Sequence, residues 1–280
     1  MGLLASLQDY QINCENWISG RGTKMEGNNR RHSDLQNKET AQAALHTETI
    51  AYSHGGASLE GYLAYDNAIQ GKRPGVLVVH CFRGLRDFVK ERTEQLAALG
   101  YIAFALDMYG VRPKDDGEAF TQARIYGGNR PLMRSRANAG LEILRRHELT
   151  DVKRCGAMGY CFGGGVVLEL ARSGAEIPGV VGFHANLDTP NRDDARNIKG
   201  KVLVLHGADD PLVPTDQVLA FQDEMRKAKI DWQMVFYGGA VHGFTMPETG
   251  MDPTKPVAYN EKADQRSWQA MKAFFGEIFK

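Results

Sequence analysis

The chain has 280 residues, a length that suits one large α/β domain or two small ones. Its 34 basic and 34 acidic residues cancel, which removes the electrostatic case for nucleic acid or an anionic membrane surface as a partner. Four cysteines (Cys14, Cys81, Cys155, Cys161) show neither metal-ligand spacing nor disulfide density, so a reducing, cytoplasmic setting is expected, and no apolar run approaches the ~20 residues of a spanning helix.

Residues 1–45 are polar and without strong periodicity. They read as an extension, with the main domain over residues 46–280. Met1-Gly2-Leu3-Leu4-Ala5-Ser6 fits an N-myristoylation pattern, which has meaning only in a eukaryotic host. A secretory signal fits less well, because a basic start is missing and the apolar run is short. Strands are expected at Glu48–Ser53 and Ser58–Tyr65, joined as a hairpin at Gly55-Gly56. Gly75–His80 is a continuous apolar run, the signature of a strand buried on both faces. A helix is expected over Asp87–Leu99, capped by Asp87 and stopped by Gly100, and a buried strand over Tyr101–Asp107. Residues 109–130 read as irregular. Pro131–Arg146 is amphipathic, with Met133, Ala137, Leu141 and Leu144 on one stripe.

Residues 154–164 carry the central pattern. An apolar strand leads into Gly159-Tyr160-Cys161-Phe162-Gly163-Gly164, and a helical run follows, with Gly174 placed to stop it. This is a G-x-nucleophile-x-G elbow with cysteine as the nucleophile. A nucleophile at a strained turn needs small neighbours where strand and helix approach. The helix N-terminus favours a thiolate and an oxyanion. Taken alone, the same residues also describe a glycine-rich turn with a buried structural cysteine.

Strands are further expected at Gly179–His184, Lys201–His206 and Trp232–Tyr237, with helices at Thr215–Lys229 and roughly Glu261–Phe279. Trp268, Met271, Phe275 and Ile278 form the buried face of the last helix. Strand and helix alternate from residue 75 onward, which calls for a mostly parallel central sheet with helices on both faces. Functional groups in such sheets collect at the carboxyl ends of strands. Two more strand ends carry candidates, Gly207-Ala208-Asp209-Asp210-Pro211 and Gly238-Gly239-Ala240-Val241-His242-Gly243. Asp-Asp-Pro is often only a polar turn, and a lone His-Gly only a loop. Cysteine, aspartate and histidine at three strand ends, in that order, instead match the triad of α/β-hydrolases.

In these motifs the chain resembles the dienelactone hydrolase family of the α/β-hydrolase fold, over about residues 47–280. The matching segments are Val78-Val79-His80, Ala105-Leu106-Asp107-Met108-Tyr109-Gly110, the elbow, His206-Gly207-x-x-Asp210-Pro211-x-Val213-Pro214, His242-Gly243-Phe244, and Tyr259-Asn260 through Arg266-Ser267-Trp268. The resemblance implies hydrolysis of carboxylic esters or lactones with no metal or organic cofactor and a small-molecule substrate as partner; oligomeric state stays open. It makes Cys161 the nucleophile, Asp210 the acid and His242 the base, with the backbone N–H groups of Phe162 and Phe82 as the oxyanion hole. Asp209 is then a solvated or turn-capping neighbour, and His80, His184 and His206 are packing or loop-bracing residues.

Two departures bear on substrate. Cys81 stands where family members often carry a glutamate that interacts with the thiol. Met246 stands where members acting on acidic lactones carry an arginine. Candidate substrate-binding residues are therefore Cys81, Arg83, Arg130 and Met246, although Arg83, Arg130, Arg134 and Arg136 equally suit solvated positions. Neutral esters or lactones are expected over free acids. Cys81 reads either as an apolar wall or as a second thiol able to resolve an oxidised Cys161. Rival readings are a thioesterase or deacylase with the same triad, and a non-catalytic α/β-hydrolase module that binds ligands.

Overall fold

The computed structural model of the protein describes residues 45–280. The readings on residues 1–44, including Cys14 and the N-terminal lipidation pattern, lie outside them.

Strands β1 (Leu45–His54) and β2 (Ala57–Asp66) form the expected hairpin. Its two-residue turn needs positive φ at both centres, and Gly55 (φ +57) and Gly56 (φ +78) supply it. Then come β3 (Arg73–Val79), helix α1 (Asp87–Ala98), β4 (Ile102–Leu106), α2 (Asp116–Gly128), α3 (Arg130–Arg146) and β5 (Thr150–Tyr160). Helix α4 (Phe162–Arg172), β6 (Gly179–Phe183), β7 (Lys201–Gly207), α5 (Thr215–Ala228), β8 (Trp232–Tyr237) and α6 (Glu261–Ile278) complete the order. The eight strands form one sheet in the order β1-β2-β4-β3-β5-β6-β7-β8. Pairs β1–β2 and β2–β4 are antiparallel, and the rest are parallel.

Side chains alternate across a strand, so neighbours on β5 report the two faces. A Cβ on Gly75, the partner of Cys155, would meet Leu144 of α3 at 3.2 Å. One on Gly156 would meet Phe275 of α6 at 3.3 Å. Helices thus cover both faces, and β4 and β6 are buried along their whole length.

Two expectations need correction. Asp87 is not the cap of α1: the cap position is Arg86, in extended backbone, and Asp87 is the first helical residue. Its carboxylate favours the helix N-terminus by charge, without a capping hydrogen bond. The stretch 109–130 is not wholly irregular, because it contains α2. Asp115 caps that helix by accepting from the Glu118 N–H at 2.9 Å. Only Ala119 and Tyr126 of α2 are buried, so no apolar stripe announces it.

Helix α4 is buried on every side, including Glu169 and Arg172. These charges are mutually satisfied. Arg172 donates to both carboxylate oxygens of Glu224 at 2.8 Å and to Glu169 at 3.0 Å, and Arg134 reaches Glu169 at 2.8 Å. A buried charge persists only when paired in this way. The network ties α4 to α3 and α5, and α4 carries the elbow at its other end.

After β3 the chain runs to β4 on one side and later returns to β5 on the other. This is the topological switch point, the place where open α/β sheets bind their ligands.

Candidate active site

Cys161 sits between β5 and α4 with φ 54 and ψ −115, a sparsely populated conformation for any residue but glycine. Contacts on both sides enforce it. A Cβ on Gly159 would lie 2.1 Å from the Gly163 carbonyl oxygen, and one on Gly163 would lie 2.3 Å from that of Val79. The elbow is therefore pressed against the end of β3, and side chains at either glycine would drive it away. The Cys161 N–H donates to Phe183 at 3.0 Å, and its carbonyl accepts from Gly165 at 3.2 Å. Phe162 opens α4, so its N–H is among those with no acceptor inside the helix.

Asp210 and His242 come from the ends of β7 and β8. His242 Nδ1 lies 2.8 Å from Asp210 Oδ2, and both side chains are almost fully buried. The other carboxylate oxygen, Oδ1, accepts from Leu212 N–H at 2.9 Å, which fixes the plane of the acid. With Nδ1 on Asp210, Nε2 is the nitrogen left for Cys161, which is close enough for its charge to bear on the imidazole. Burial pulls the His242 pKa down. The charges of Asp210 and Cys161 and the hydrogen bond to Asp210 outweigh burial and hold it well above the ordinary imidazole value.

Asp209 does what a turn-capping neighbour does. Its Oδ2 accepts from Gly239 N–H at 2.9 Å and clips the loop after β7 to the loop after β8. The other histidines brace the site. His184 Nε2 is 2.9 Å from Thr245 Oγ1, and its ring packs edge-on against His242 at 5.1 Å. His206 packs edge-on against Phe236. His80 is fully buried between the loops after β3 and β4. Burial lowers the pKa of all three.

The candidate substrate-binding residues fall into different surroundings. Cys81 is buried, and burial, reinforced by the nearby Cys161, pushes its thiol up to about 12. Cys155 is in the core, where burial pushes its thiol up to about 11. Both stay protonated at neutral pH, so neither is a nucleophile. Iodoacetamide at pH 7.5 is thus expected to modify Cys161 well before Cys81 or Cys155, as read by peptide mass spectrometry. Equal labelling of Cys81 and Cys161 would contradict this ordering.

The arginines are engaged by the protein. Arg83 Nε and Nη2 meet the Asp116 carboxylate at 2.8 and 2.9 Å, and its guanidinium lies over the Phe82 ring. Arg130 pairs with Asp188 at 2.6 Å, and Arg134 with Glu169 and Asp194. Arg136 is buried and not solvated, with its guanidinium on the Met108 carbonyl at 3.0 Å and on His54. Met246 is buried in the apolar core.

Sequence reasoning assigned no role to three features near the nucleophile. Tyr109 donates its hydroxyl to the Phe82 carbonyl at 2.9 Å and packs against Phe162. Helix α2 brings Phe120 into a stack on Phe82 at 4.4 Å and Tyr126 against Tyr109. Glu248, on the short 3-10 turn Pro247–Thr249, places a negative charge that bears on both Cys81 and Arg83. Tyr109 lies in one of the matching motifs and could have been found there. The other contacts depend on tertiary placement.

Comparison with known proteins bears on the family and the fold. The family model described as the dienelactone hydrolase family matches residues 59–279. A solved structure described as a dienelactone hydrolase-like promiscuous phosphotriesterase from metagenomic libraries is 39% identical, with a TM-score of 0.80 over 85% of this chain and 100% of that one. An uncharacterised Caenorhabditis elegans protein is 33% identical over 150 residues, 52% of this chain and 94% of its own length. A Bradyrhizobium protein named a "probable 2-oxo-3-(5-oxofuran-2-ylidene)propanoate lactonase" is 26% identical over 76% of this chain and 90% of its own.

Proposed function

Since the chain belongs to the dienelactone hydrolase family and is a carboxylic ester or lactone hydrolase, we propose that it works by acyl transfer through Cys161. The observation that carries this reading is the 2.8 Å contact between Asp210 and His242, with Cys161 near enough to bear on the same imidazole. The thiolate attacks the carbonyl carbon. The resulting oxyanion takes the N–H groups of Phe162 and Phe82. Collapse breaks the C–O bond, and His242 Nε2–H protonates the leaving alkoxide. In a lactone this alcohol stays tethered to the acyl group. His242, now neutral, takes a proton from water as that water attacks the thioester, and the carboxylic acid leaves with Cys161 restored. Asp210 holds the imidazole in the tautomer with Nδ1–H and stabilises the imidazolium.

The surroundings support neutral substrates. Met246 is apolar, Arg83 and Arg130 already hold carboxylates of the protein, and the Glu248 charge opposes an incoming anion. A substrate carboxylate would have to shed water without a waiting cation, a loss of several kcal/mol. The same neutral site would admit a thioester, or a neutral phosphate triester of the class that the metagenomic phosphotriesterase is named for. The test is kcat/KM for a dienelactone acid beside its methyl ester, with p-nitrophenyl acetate as reference. The ester is expected to lead by about 10-fold or more, each factor of ten being about 1.4 kcal/mol. A clear lead for the acid overturns the neutral preference, and no turnover of any ester overturns the hydrolase reading. A free thiol nucleophile also fits the reducing, cytoplasmic setting expected for the protein. No helix among the described residues is long and apolar enough to cross a membrane.

A further inference from the structure

The peptide that joins Cys81 to Phe82 is planar and trans, so its carbonyl and its N–H point in opposite directions. The N–H belongs to Phe82, the second donor of the proposed oxyanion hole. The carbonyl belongs to Cys81, and it accepts from His80 Nδ1 at 2.7 Å. Whatever fixes this carbonyl therefore fixes the aim of the donor.

The His80 ring has one assignment of its proton. Its Nε2 lies 3.2 Å from the Met108 backbone N–H, which can only donate, so Nε2 is the acceptor. The proton is then on Nδ1, opposite a carbonyl that can only accept. The ring is fully buried and packs edge-on against Tyr109 at 4.8 Å. Tyr109 in turn holds the next carbonyl, that of Phe82, at 2.9 Å. A turn closed by Gly84 N–H onto the same Cys81 carbonyl, at 3.1 Å, completes the loop.

We propose that His80 is a positioning residue, whose Nδ1–H holds the Cys81–Phe82 peptide with its N–H turned toward the substrate oxyanion. The inference rests on Phe82 N–H as an oxyanion donor and goes beyond it by naming the group that sets its direction. Without the imidazole the Cys81 carbonyl keeps only the Gly84 N–H of its own turn, a weaker hold against rotation, and a rotated peptide presents a carbonyl oxygen to a developing negative charge. The cost falls on the transition state, where the charge is greatest, and not on the nucleophile.

The test compares His80→Asn, His80→Gln and His80→Leu with wild type on p-nitrophenyl acetate. Asparagine places an amide N–H near the Nδ1 position and keeps the donor to Cys81. Glutamine reaches the Nε2 position, facing Met108, and loses that donor. Glutamine and leucine are expected to lower kcat by about 100-fold, the scale for losing one oxyanion donor, and asparagine to recover most of it. Alkylation of Cys161 by iodoacetamide, which forms no oxyanion, is expected to keep its wild-type rate in all three. Equal losses in Asn and Gln, or a parallel loss of alkylation, would mean that His80 acts only through packing and would overturn the proposal. That comparison stands even if the leucine variant fails to fold. Phe82→Pro, which deletes the N–H itself, separates the two levels. Retained kcat in Phe82→Pro overturns the oxyanion assignment beneath the proposal. Loss there, with wild-type kcat in His80→Gln, overturns the role of His80 alone.

Discussion

Cys161→Ala is expected to lower hydrolysis of p-nitrophenyl acetate by about ten-thousand-fold or more, the scale on which losing a covalent nucleophile acts. The chemistry leaves no substitute at that position. Among the described residues, Cys81 and Cys155 are buried thiols pushed up to about 12 and about 11, and Cys161 stands at the elbow beside the His242 imidazole. Cys155→Ala removes a sulfur from the core of β5, so its effect is expected on stability and not on turnover. The measurement is kcat at saturating ester for the two variants side by side. Near-normal turnover in Cys161→Ala would remove the elbow from the mechanism.

The second large effect concerns the histidine and the acid that aims it. His242→Ala is expected to cost several orders of magnitude, because members of a triad act as a unit. Asp210→Asn is expected to cost about ten-thousand-fold, the scale of the tautomer error that follows when an amide replaces the acid. Asp210→Asn also makes a signed prediction about pH. Burial depresses His242, and Asp210 is the largest influence raising it. The imidazolium must be present to protonate the leaving alkoxide, so activity falls on the alkaline side as His242 loses its proton. In wild type that limb lies well above the ordinary imidazole value. Removing the Asp210 charge lets burial dominate, so the limb in Asp210→Asn moves to lower pH. A limb that stays in place, measured as kcat against pH, would mean that Asp210 does not set the protonation of His242.

Much of this site is legible in the sequence, for steric reasons. Gly159 and Gly163 are spelled out because backbone passes 2.1 and 2.3 Å from where their side chains would be. The buried end of β5 and the buried core of β7 announce themselves as apolar runs, and their carboxyl ends then locate Cys161 and Asp210; the half-exposed edge strand β8 is carried by its aromatic and β-branched residues and leads to His242. What stays hidden depends on long-range pairing. Arg83 with Asp116 and Arg130 with Asp188 are unions across 33 and 58 residues, and no local pattern records them. Helix α2 is hidden for another reason. With two buried residues in thirteen, its periodicity is nearly blank, and its glycines suggest a loop. Its one local signal is at the start, where Asp115 and Glu118 stand at capping-box spacing. The misread start of α1 is a matter of one residue: Asp87 has the chemistry of a cap, but the extended backbone falls on Arg86.

The central claim is a covalent acyl-cysteine, and trapping it is the most direct measurement. The enzyme would be mixed briefly with p-nitrophenyl acetate, quenched in acid and digested, and its peptides weighed. The account predicts one acetyl group, carried as a thioester on Cys161 and released by neutral hydroxylamine, at a yield that matches the initial burst of p-nitrophenol. An acetyl group on a different residue, with Cys161 unmodified while the enzyme turns over, would contradict it.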